Sequence, residues 1–269
     1  MKNLEGQVVV VTGGGRGIGR ATALALAEAG AAVAICSRTL SELEETVRLI
    51  GPSGQIYAED LDVTDAESVK SFVANTESKL GPITAVVNNA GIGGPVAHSW
   101  EMDVDEWWQV QRVNLLAPFI FIRNIVPGMI ERGEGRIINV ASYAGVRPSA
   151  KGSAYPTSKA ALMRLSDSLA AELEGKNVFS FAISPGLVRT AMVEQVPFLN
   201  NLPPDQFSDI ELGANLIVRL VSGEADALSG LLIHVTDPLD DLIAHAEHLH
   251  ETGLYQLRMW TGLEEPAPV

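Results

Sequence analysis

The sequence has little cysteine. Its 269 residues include only one, Cys36, so no disulfide can form within the chain. Cys36 ends the apolar run "AAVAIC", and we interpret it as a small buried hydrophobic side chain rather than a redox centre. This cysteine usage is typical of a reducing compartment, and we expect a cytoplasmic protein.

Positive charge is also scarce, because 19 Lys and Arg residues stand against 33 Asp and Glu residues. A chain with a net charge of −14 at pH 7 is a poor binder of nucleic acid and anionic membranes, and we predict neither as a partner. A metal-binding pattern is missing too. Because no cysteine or upstream ligand joins His245, His248 and His250, we interpret them as residues of a solvated helix and predict no metal.

Every long hydrophobic run is interrupted. The longest, "NLLAPFIFIRNIVPGMI", contains Asn114, Arg123 and Pro127, which favours a buried or interface helix over a membrane span. The first residues, "MKNLEGQVVVVTGGG", hold no apolar signal-peptide core, so we expect no export signal.

The sequence does contain a regular alternation of short apolar runs and helical patterns. Most runs are apolar on both faces, as strands are when helices cover both sides of a parallel sheet. We therefore predict an α/β Rossmann fold: a single domain over residues 1–269 with a doubly wound, seven-stranded parallel sheet. The predicted strands are residues 7–12, 31–36, 55–60, 83–88, 135–142, 178–184 and 230–235.

Helix signals fill the gaps between these strands. Long helices are predicted at about 104–131 and 153–174. Capping-box spacings, Ser41 with Glu44 and Thr64 with Glu67, predict two further helix starts. Two segments are irregular: residues 187–210, a predicted substrate lid, and an atypical tail at about 236–269.

A glycine-rich turn follows the first strand. The run "TGGGRGIG" places Gly13, Arg16, Gly17, Ile18 and Gly19 between a strand and a helix. Glycines permit a tight turn and a close approach to a pyrophosphate, and a helix N-terminus directs free N–H groups at the anion. This arrangement predicts a dinucleotide-binding loop.

A tyrosine and a lysine lie four residues apart in "SAYPTSKAAL". In a helix, this spacing puts Tyr155 and Lys159 on one face, where a nearby cation can lower the pKa of the phenol towards neutrality. Ser142 ends a predicted strand at the edge of the sheet where ligands bind, and its hydroxyl can hydrogen-bond a carbonyl. Asn114 lies inside an apolar helix, and Asn89 with Gly91 follows another strand.

Taken together, these motifs resemble the short-chain dehydrogenase/reductase family over about residues 5–235. The resemblance rests on "TGGGRGIG", "NNAG" at 88–91, Asn114, Ser142, Tyr155-x-x-x-Lys159 and Pro185-Gly186, in the family's order.

The resemblance implies a role for each position. Tyr155 would pass a proton to the carbonyl oxygen, and Lys159 would lower the tyrosine pKa and hold the nicotinamide ribose. Ser142 would orient the carbonyl, and Asn114 would support a proton-relay water. The remaining implied cofactor contacts are Val188 and Thr190 at the nicotinamide amide and Asp62 and Val63 beside the adenine.

Cofactor choice depends on the end of the second strand, where NAD-using relatives commonly carry an acidic residue. This chain has Ser37 and Arg38 there, and Arg16 adds a second cation from the glycine loop. Arginine suits a phosphate group, so we predict a preference for NADP(H), with NAD(H) as the alternative.

We therefore predict an NADP(H)-dependent oxidoreductase acting on a small carbonyl or alcohol of apolar character. The alternatives are a 3-oxoacyl thioester reductase, with Arg132 and Arg136 docking an acidic carrier protein, and a catalytically silent nucleotide-binding scaffold. A pocket is expected between 92–98, 143–151 and 187–207, with an apolar wall of Val146, Met192, Phe198 and Leu199. By resemblance, the long helices pair between subunits, which predicts a homotetramer or homodimer.

Overall fold

The computed structural model describes residues 3–194, 196 and 199–258. Seven parallel strands form one sheet in the order β3-β2-β1-β4-β5-β6-β7, which confirms the predicted Rossmann topology. The strands are β1 Val8–Thr12, β2 Ala32–Ser37, β3 Ile56–Asp60, β4 Ala85–Asn88, β5 Gly135–Val140, β6 Val178–Ser184 and β7 Leu232–His234. The strand order reverses between β1 and β4, and a crevice opens at such a switch point, beyond the carboxyl ends of the strands.

Helices cover both faces of the sheet. They are α1 Gly17–Glu28, α2 Leu40–Ile50, α3 Ala66–Leu80, α4 Val104–Gln111, α5 Ala117–Arg132, α6 Ala154–Glu172, α7 Ala191–Glu194, α8 Ile210–Val221, α9 Leu239–Ala244 and α10 Ala246–Thr252. On one face, Leu26 of α1 and Ile217 of α8 join the buried core. On the other, Phe72 of α3 and Phe121 of α5 pack edge to face, with ring centroids 6.3 Å apart.

The predicted helix at 104–131 is a continuous run in which one π-helical turn, Arg112–Leu116, joins α4 to α5. By length and composition alone, the run Val104–Arg132 could cross a membrane. Its apolar face instead packs on the sheet, where Phe121 and Met129 are completely buried. It is therefore a core helix of this fold.

Both capping-box predictions are wrong in detail. The N-cap of α2 is Thr39 rather than Ser41, and no side chain caps that end. The N-cap of α3 is Asp65, whose carboxylate accepts from the N–H of Glu67, whereas Thr64 hydrogen-bonds Asp62 instead. Neighbouring polar residues are nearly equivalent as caps, so the spacing alone does not fix which residue begins the helix.

The tail beyond β7 packs on the domain as far as Arg258. Leu242 and Leu249 are buried in the core cluster that contains α8. The carbonyl of Tyr255 then accepts a hydrogen bond of 2.8 Å from the N–H of Leu232, on the outermost strand. This backbone bond covers part of a sheet edge that would otherwise carry unpaired groups.

Candidate active site

The glycine loop is fixed between three strands at the switch point. The N–H groups of Gly13 and Gly14 donate to the carbonyl of Cys36, at 2.8 and 3.2 Å. The hydroxyl of Thr12 accepts from the N–H groups of Asn89 and Ala90, both at 3.0 Å. The loop is therefore anchored to β2 and β4 before any ligand is present. Cys36 itself is buried, and burial raises the pKa of its thiol to about 12, which fits a structural role.

The loop leaves room for a phosphate because its glycines have no side chains. A methyl group on Gly19 would come within 2.1 Å of the Gly13 carbonyl oxygen and 2.5 Å of Asn89 Nδ2. Gly17 has φ +54° and faces Thr190, whose Cγ2 would lie 3.5 Å from such a methyl group. Helix α1 begins at Gly17 without a side-chain cap, so its first N–H groups are available to an anion. The predicted loop residues therefore fit a dinucleotide pyrophosphate.

Two residues that the sequence analysis overlooked support the loop from behind. Arg20 donates to the carbonyl of Gly15 and, at 3.1 Å, to the hydroxyl of Thr46. That hydroxyl in turn donates to the carbonyl of Gly14 at 3.0 Å. Both residues lie on helix faces that a local pattern describes as ordinary packing, so no sequence signal identified them.

The predicted catalytic residues come together at the carboxyl end of β5. The hydroxyl of Ser142 lies close enough to the phenol of Tyr155 to lower its pKa. The ammonium of Lys159, one turn further along α6, lies 5.6 Å from the centre of the tyrosine ring and donates to the carbonyl of Val140 at 2.7 Å. The structure thus brings the serine, the tyrosine and the lysine together at this end of the sheet.

Burial dominates the protonation of this cluster. It raises the pKa of Tyr155, partly offset by the hydroxyl of Ser142, and it lowers the pKa of Lys159 to about 8. In the chain by itself, the tyrosine pKa therefore moves away from neutrality, opposite to the lowering expected from Lys159. The lowering role of Lys159 remains a prediction for the cofactor-bound enzyme.

The lysine shift predicts a pH-dependent stability. The unfolded side chain has a pKa of 10.5, so between pH 8 and 10.5 the unfolded chain binds more protons, and the free energy of unfolding rises with pH. Over the whole window, this contribution amounts to about 3 kcal/mol. In urea unfolding from pH 7 to 10, the free energy of unfolding of the wild type should rise with pH relative to that of Lys159→Met; the comparison isolates the lysine because the raised pKa of the Cys36 thiol lowers the stability of both proteins above pH 9.0. Exposed Lys176, replaced by Met, is the control, and parallel curves for wild type and Lys159→Met would contradict the assignment.

Asn114 lies in the π-helical turn, and its amide is fully engaged with the protein. Its Oδ1 accepts from the N–H of Ile92 at 2.9 Å, and its Nδ2 donates to the hydroxyl of Ser158 and the carbonyl of Ile92. A methyl group on Gly91 would meet Asn114 Oδ1 at 3.3 Å and Lys159 Nζ at 3.7 Å. Asn114 therefore fixes the turn after β4 beside the lysine, and its predicted role with a relay water is untested.

The predicted ribose and adenine residues surround the carboxyl ends of β2 and β3. The carbonyl of Ser37 accepts from the N–H of Leu61 at 3.0 Å, which brings Asp62 and buried Val63 beside the end of β2. Arg38 is exposed and forms no ion pair within the part of the chain that the structure describes. Val188 is buried after β6, on the segment that carries Thr190.

Arg16 is not free. It forms an ion pair of 3.4 Å with Glu42 on the first turn of α2, and the side chain of Glu42 is 30% exposed. Glu42 was not predicted to contact this site, because it lies on α2, beyond the end of β2.

Residues 7–198 match the short chain dehydrogenase family. The chain belongs to this family. A short chain dehydrogenase of Pseudocercospora fijiensis is 36% identical over 91% of this chain and 84% of its own length. The 3-oxoacyl-[acyl-carrier-protein] reductase of Thermotoga maritima is 34% identical over 86% of this chain and 97% of its own. Among solved structures, a short-chain type dehydrogenase/reductase from Mycobacterium marinum aligns with a TM-score of 0.80 at 30% identity, over 88% of this chain and 98% of that one.

In this short-chain dehydrogenase, the C-terminal tail lies beside the segment that follows Ser142. Tyr143, which follows Ser142, and Val146 line a cavity of about 330 Å³ together with Leu232 of β7 and Tyr255 of the tail. The tail predicted to be atypical therefore contacts the same cavity as Tyr143 and Val146, which follow β5. Two tail histidines have a ring nitrogen within hydrogen-bond distance of a backbone carbonyl: His245 of Asp241, at 2.8 Å, and His250 of Ala227, at 2.9 Å.

Proposed function

We propose that the protein is an NADP(H)-dependent oxidoreductase that interconverts a carbonyl and a secondary alcohol by direct hydride transfer. The observation that carries this proposal is the cluster of half-buried Ser142 and Tyr155 with buried Lys159 at the switch-point crevice. A bound nicotinamide would supply or accept the hydride, and the chain would manage the proton. The fitting glycine loop and the family membership support a dinucleotide at this site.

In the direction of reduction, Tyr155 is the proton donor. Its raised pKa keeps the phenol protonated at neutral pH, so the O–H proton is available to the carbonyl oxygen as negative charge develops there. Ser142 donates a second hydrogen bond to the same oxygen. Lys159 holds a positive charge beside the phenolate that the transfer leaves, and Asn114 keeps the turn at Ile92 in position.

The predicted preference for NADP(H) rests on Ser37, Arg38 and Arg16. A guanidinium donates a fork of hydrogen bonds to phosphate, and exposed Arg38 has no ion-pair partner among the described residues to compete for it. The ion pair of Arg16 with Glu42 weakens this argument, so NAD(H) stays the alternative.

A 3-oxoacyl thioester reductase is the second candidate, and the similarity to the Thermotoga reductase favours it. The two arginines predicted to dock the carrier protein do not favour this candidate. Arg136 forms two hydrogen bonds of 2.9 and 2.8 Å with Asp226, and Arg132 donates to the carbonyl of Ile83 at 2.7 Å. Because both are engaged within the chain, they provide a poor surface for an acidic carrier protein. The scaffold alternative is disfavoured by the assembled catalytic cluster.

The substrate pocket is proposed to lie between the turn after β4 and the segment 187–210. A methyl group on Gly93 would meet Met192 Cγ at 3.4 Å, so these two predicted walls touch. Within 187–210, helix α7 and two 3-10 turns, Leu199–Asn201 and Pro204–Gln206, are short elements suited to a lid. Phe198 lies outside the described residues, and Val146 faces the cavity shared with the tail.

Self-association is proposed through the long helical run. Val104 and Trp108 of α4 are 78% and 57% exposed, and Leu116 and Phe119 are also exposed on the same run. Exposed apolar patches of this kind mark interaction surfaces, which supports the predicted dimer or tetramer.

A panel of ketones, aldehydes, quinones and acyl thioesters, followed by cofactor absorbance with NADPH and NADH side by side, tests the function. We expect turnover of a carbonyl substrate with NADPH preferred. Turnover of thioesters alone would favour the second candidate, and cofactor binding without turnover on any class would favour the scaffold.

Arg38→Asp tests the cofactor assignment directly. Removing the guanidinium and adding a carboxylate beside the 2′-phosphate should raise Kd for NADPH by about 100-fold or more and leave Kd for NADH within about threefold. Fluorescence titration measures both constants. Arg48→Asp, at the exposed far end of α2, is the control, and an unchanged NADPH to NADH ratio in Arg38→Asp would refute the role of Arg38.

A further inference from the structure

The adenosine end of the candidate dinucleotide site contains a carboxylate among its cations. A methyl group on Gly15 would lie 2.9 Å from Ser37 Oγ and 3.4 Å from Glu42 Oε2. Glu42 and Ser37 therefore approach each other at Gly15, in the middle of the glycine loop. The other side of the carboxylate, Oε1, lies 3.4 Å from the guanidinium of Arg16.

The packing of α1 against α2 fixes Glu42 in this place. Its backbone carbonyl accepts from the guanidinium of Arg20 at 3.2 Å and from the hydroxyl of Thr46 at 3.1 Å. The same arginine and threonine bind the carbonyls of Gly14 and Gly15. One set of contacts thus positions both the glycine loop and the backbone of Glu42, from which the carboxylate reaches Arg16.

We propose that Glu42 sets the balance between the two nicotinamide dinucleotides. Its carboxylate competes with a 2′-phosphate for Arg16 and repels that phosphate, whereas it can accept a hydrogen bond from a free 2′-hydroxyl. The inference rests on the proposed function in so far as it needs a dinucleotide in this site. It goes beyond that function because it assigns an opposing residue to a site that Arg16 and Arg38 would otherwise bias towards NADP(H).

The surroundings of Glu42 favour a measurable effect. Its side chain is largely shielded at 30% exposure, so solvent screens its field less than that of a surface carboxylate. A 2′-phosphate carries close to two negative charges at neutral pH, and a phosphate held by Arg16 would meet the opposing charge of the Glu42 carboxylate on the same guanidinium. Arg38 has no such opponent among the described residues, so the two cations are not equivalent.

The test is Glu42→Gln, which removes the charge and keeps the size and the backbone contacts. Kd for NADPH and for NADH are measured by calorimetry on the full chain, without substrate. We expect NADPH to bind about tenfold more tightly and NADH to bind equally well or up to about threefold more weakly. An unchanged ratio of the two constants would overturn the proposal.

Two further variants separate the mechanism from a general charge effect. Glu44→Gln removes the same charge from an exposed position of α2, and its ratio should stay within about twofold of the wild type. In an Arg16→Gln background, the gain from Glu42→Gln should fall to about threefold or less, because the competition for Arg16 is gone. A full tenfold gain in that background would refute the competition.

The outcomes also distinguish this inference from the proposed function. If the wild type binds NADH more tightly, the NADP(H) preference fails, but Glu42→Gln should still move the ratio towards NADPH. If the wild type prefers NADPH and Glu42→Gln leaves the ratio unchanged, the role of Glu42 fails alone. Binding of neither dinucleotide would overturn both.

Discussion

Replacing Tyr155 by Phe is expected to lower kcat for carbonyl reduction by about 10³-fold, within the range that a positioned acid or base contributes. The change removes the only atom that would deliver a proton to the substrate oxygen and keeps the ring. Ser142 would still hydrogen-bond the carbonyl, and Lys159 would still hold its bond to Val140, so the residual rate should reflect positioning without proton transfer.

Measuring kcat and the cofactor Kd separately distinguishes a role of Tyr155 in proton transfer from a role in cofactor binding. Kd for the cofactor should stay within about threefold of the wild type, because the phenol hydroxyl contributes little to holding a large dinucleotide. Tyr57→Phe, on β3 at the far edge of the sheet, makes the same chemical change away from the site and should keep full kcat. Urea unfolding of both variants checks the fold. Wild-type turnover in Tyr155→Phe would eliminate the tyrosine as acid and base.

Replacing Gly19 by Ala is expected to weaken dinucleotide binding by about 100-fold or more. The added methyl group would lie 2.1 Å from the carbonyl oxygen of Gly13, a backbone atom, and 2.5 Å from Asn89 Nδ2. Neither can retreat easily, because Asn89 Nδ2 already donates to the carbonyl of Thr12 at 2.9 Å. The loop must therefore move, and overpacking of this kind costs about 1–3 kcal/mol of stability as well.

Gly213→Ala in α8 is the matched control. A methyl group there would meet its nearest neighbour, Pro185 Cβ, at 3.5 Å, which is ordinary contact distance. Alanine is a better helix former than glycine, so this variant should be as stable as the wild type or slightly more stable. Calorimetric titration with NADPH and NADH compares the variants. Normal affinity in Gly19→Ala would show that the loop does not approach the dinucleotide.

The sequence predicted the elements whose signals are local. Strands buried on both faces are continuous apolar runs, so all seven are predicted, with ends shifted by at most two residues. The four-residue spacing of Tyr155 and Lys159 fixes their common face once the helix forms, and the structure adds Ser142 from the neighbouring strand end. The glycine loop could also be predicted from the sequence, because its tight turn requires a backbone conformation that glycine adopts readily.

Contacts between residues far apart in the sequence leave no local pattern. Only the tertiary structure determined them. Glu42 reaches Arg16 only because α2 packs against α1, and Asn114 reaches Ile92 only because a π-helical turn aims it there. The tail covers the edge of β7 through Tyr255, a contact between segments that no periodicity connects. The sequence by itself thus determined the family and the sheet, and it predicted which residues meet at the candidate site. The charge balance around Arg16 and the role of the tail arise only when separate elements pack together, because their energies depend on distances that local patterns do not encode.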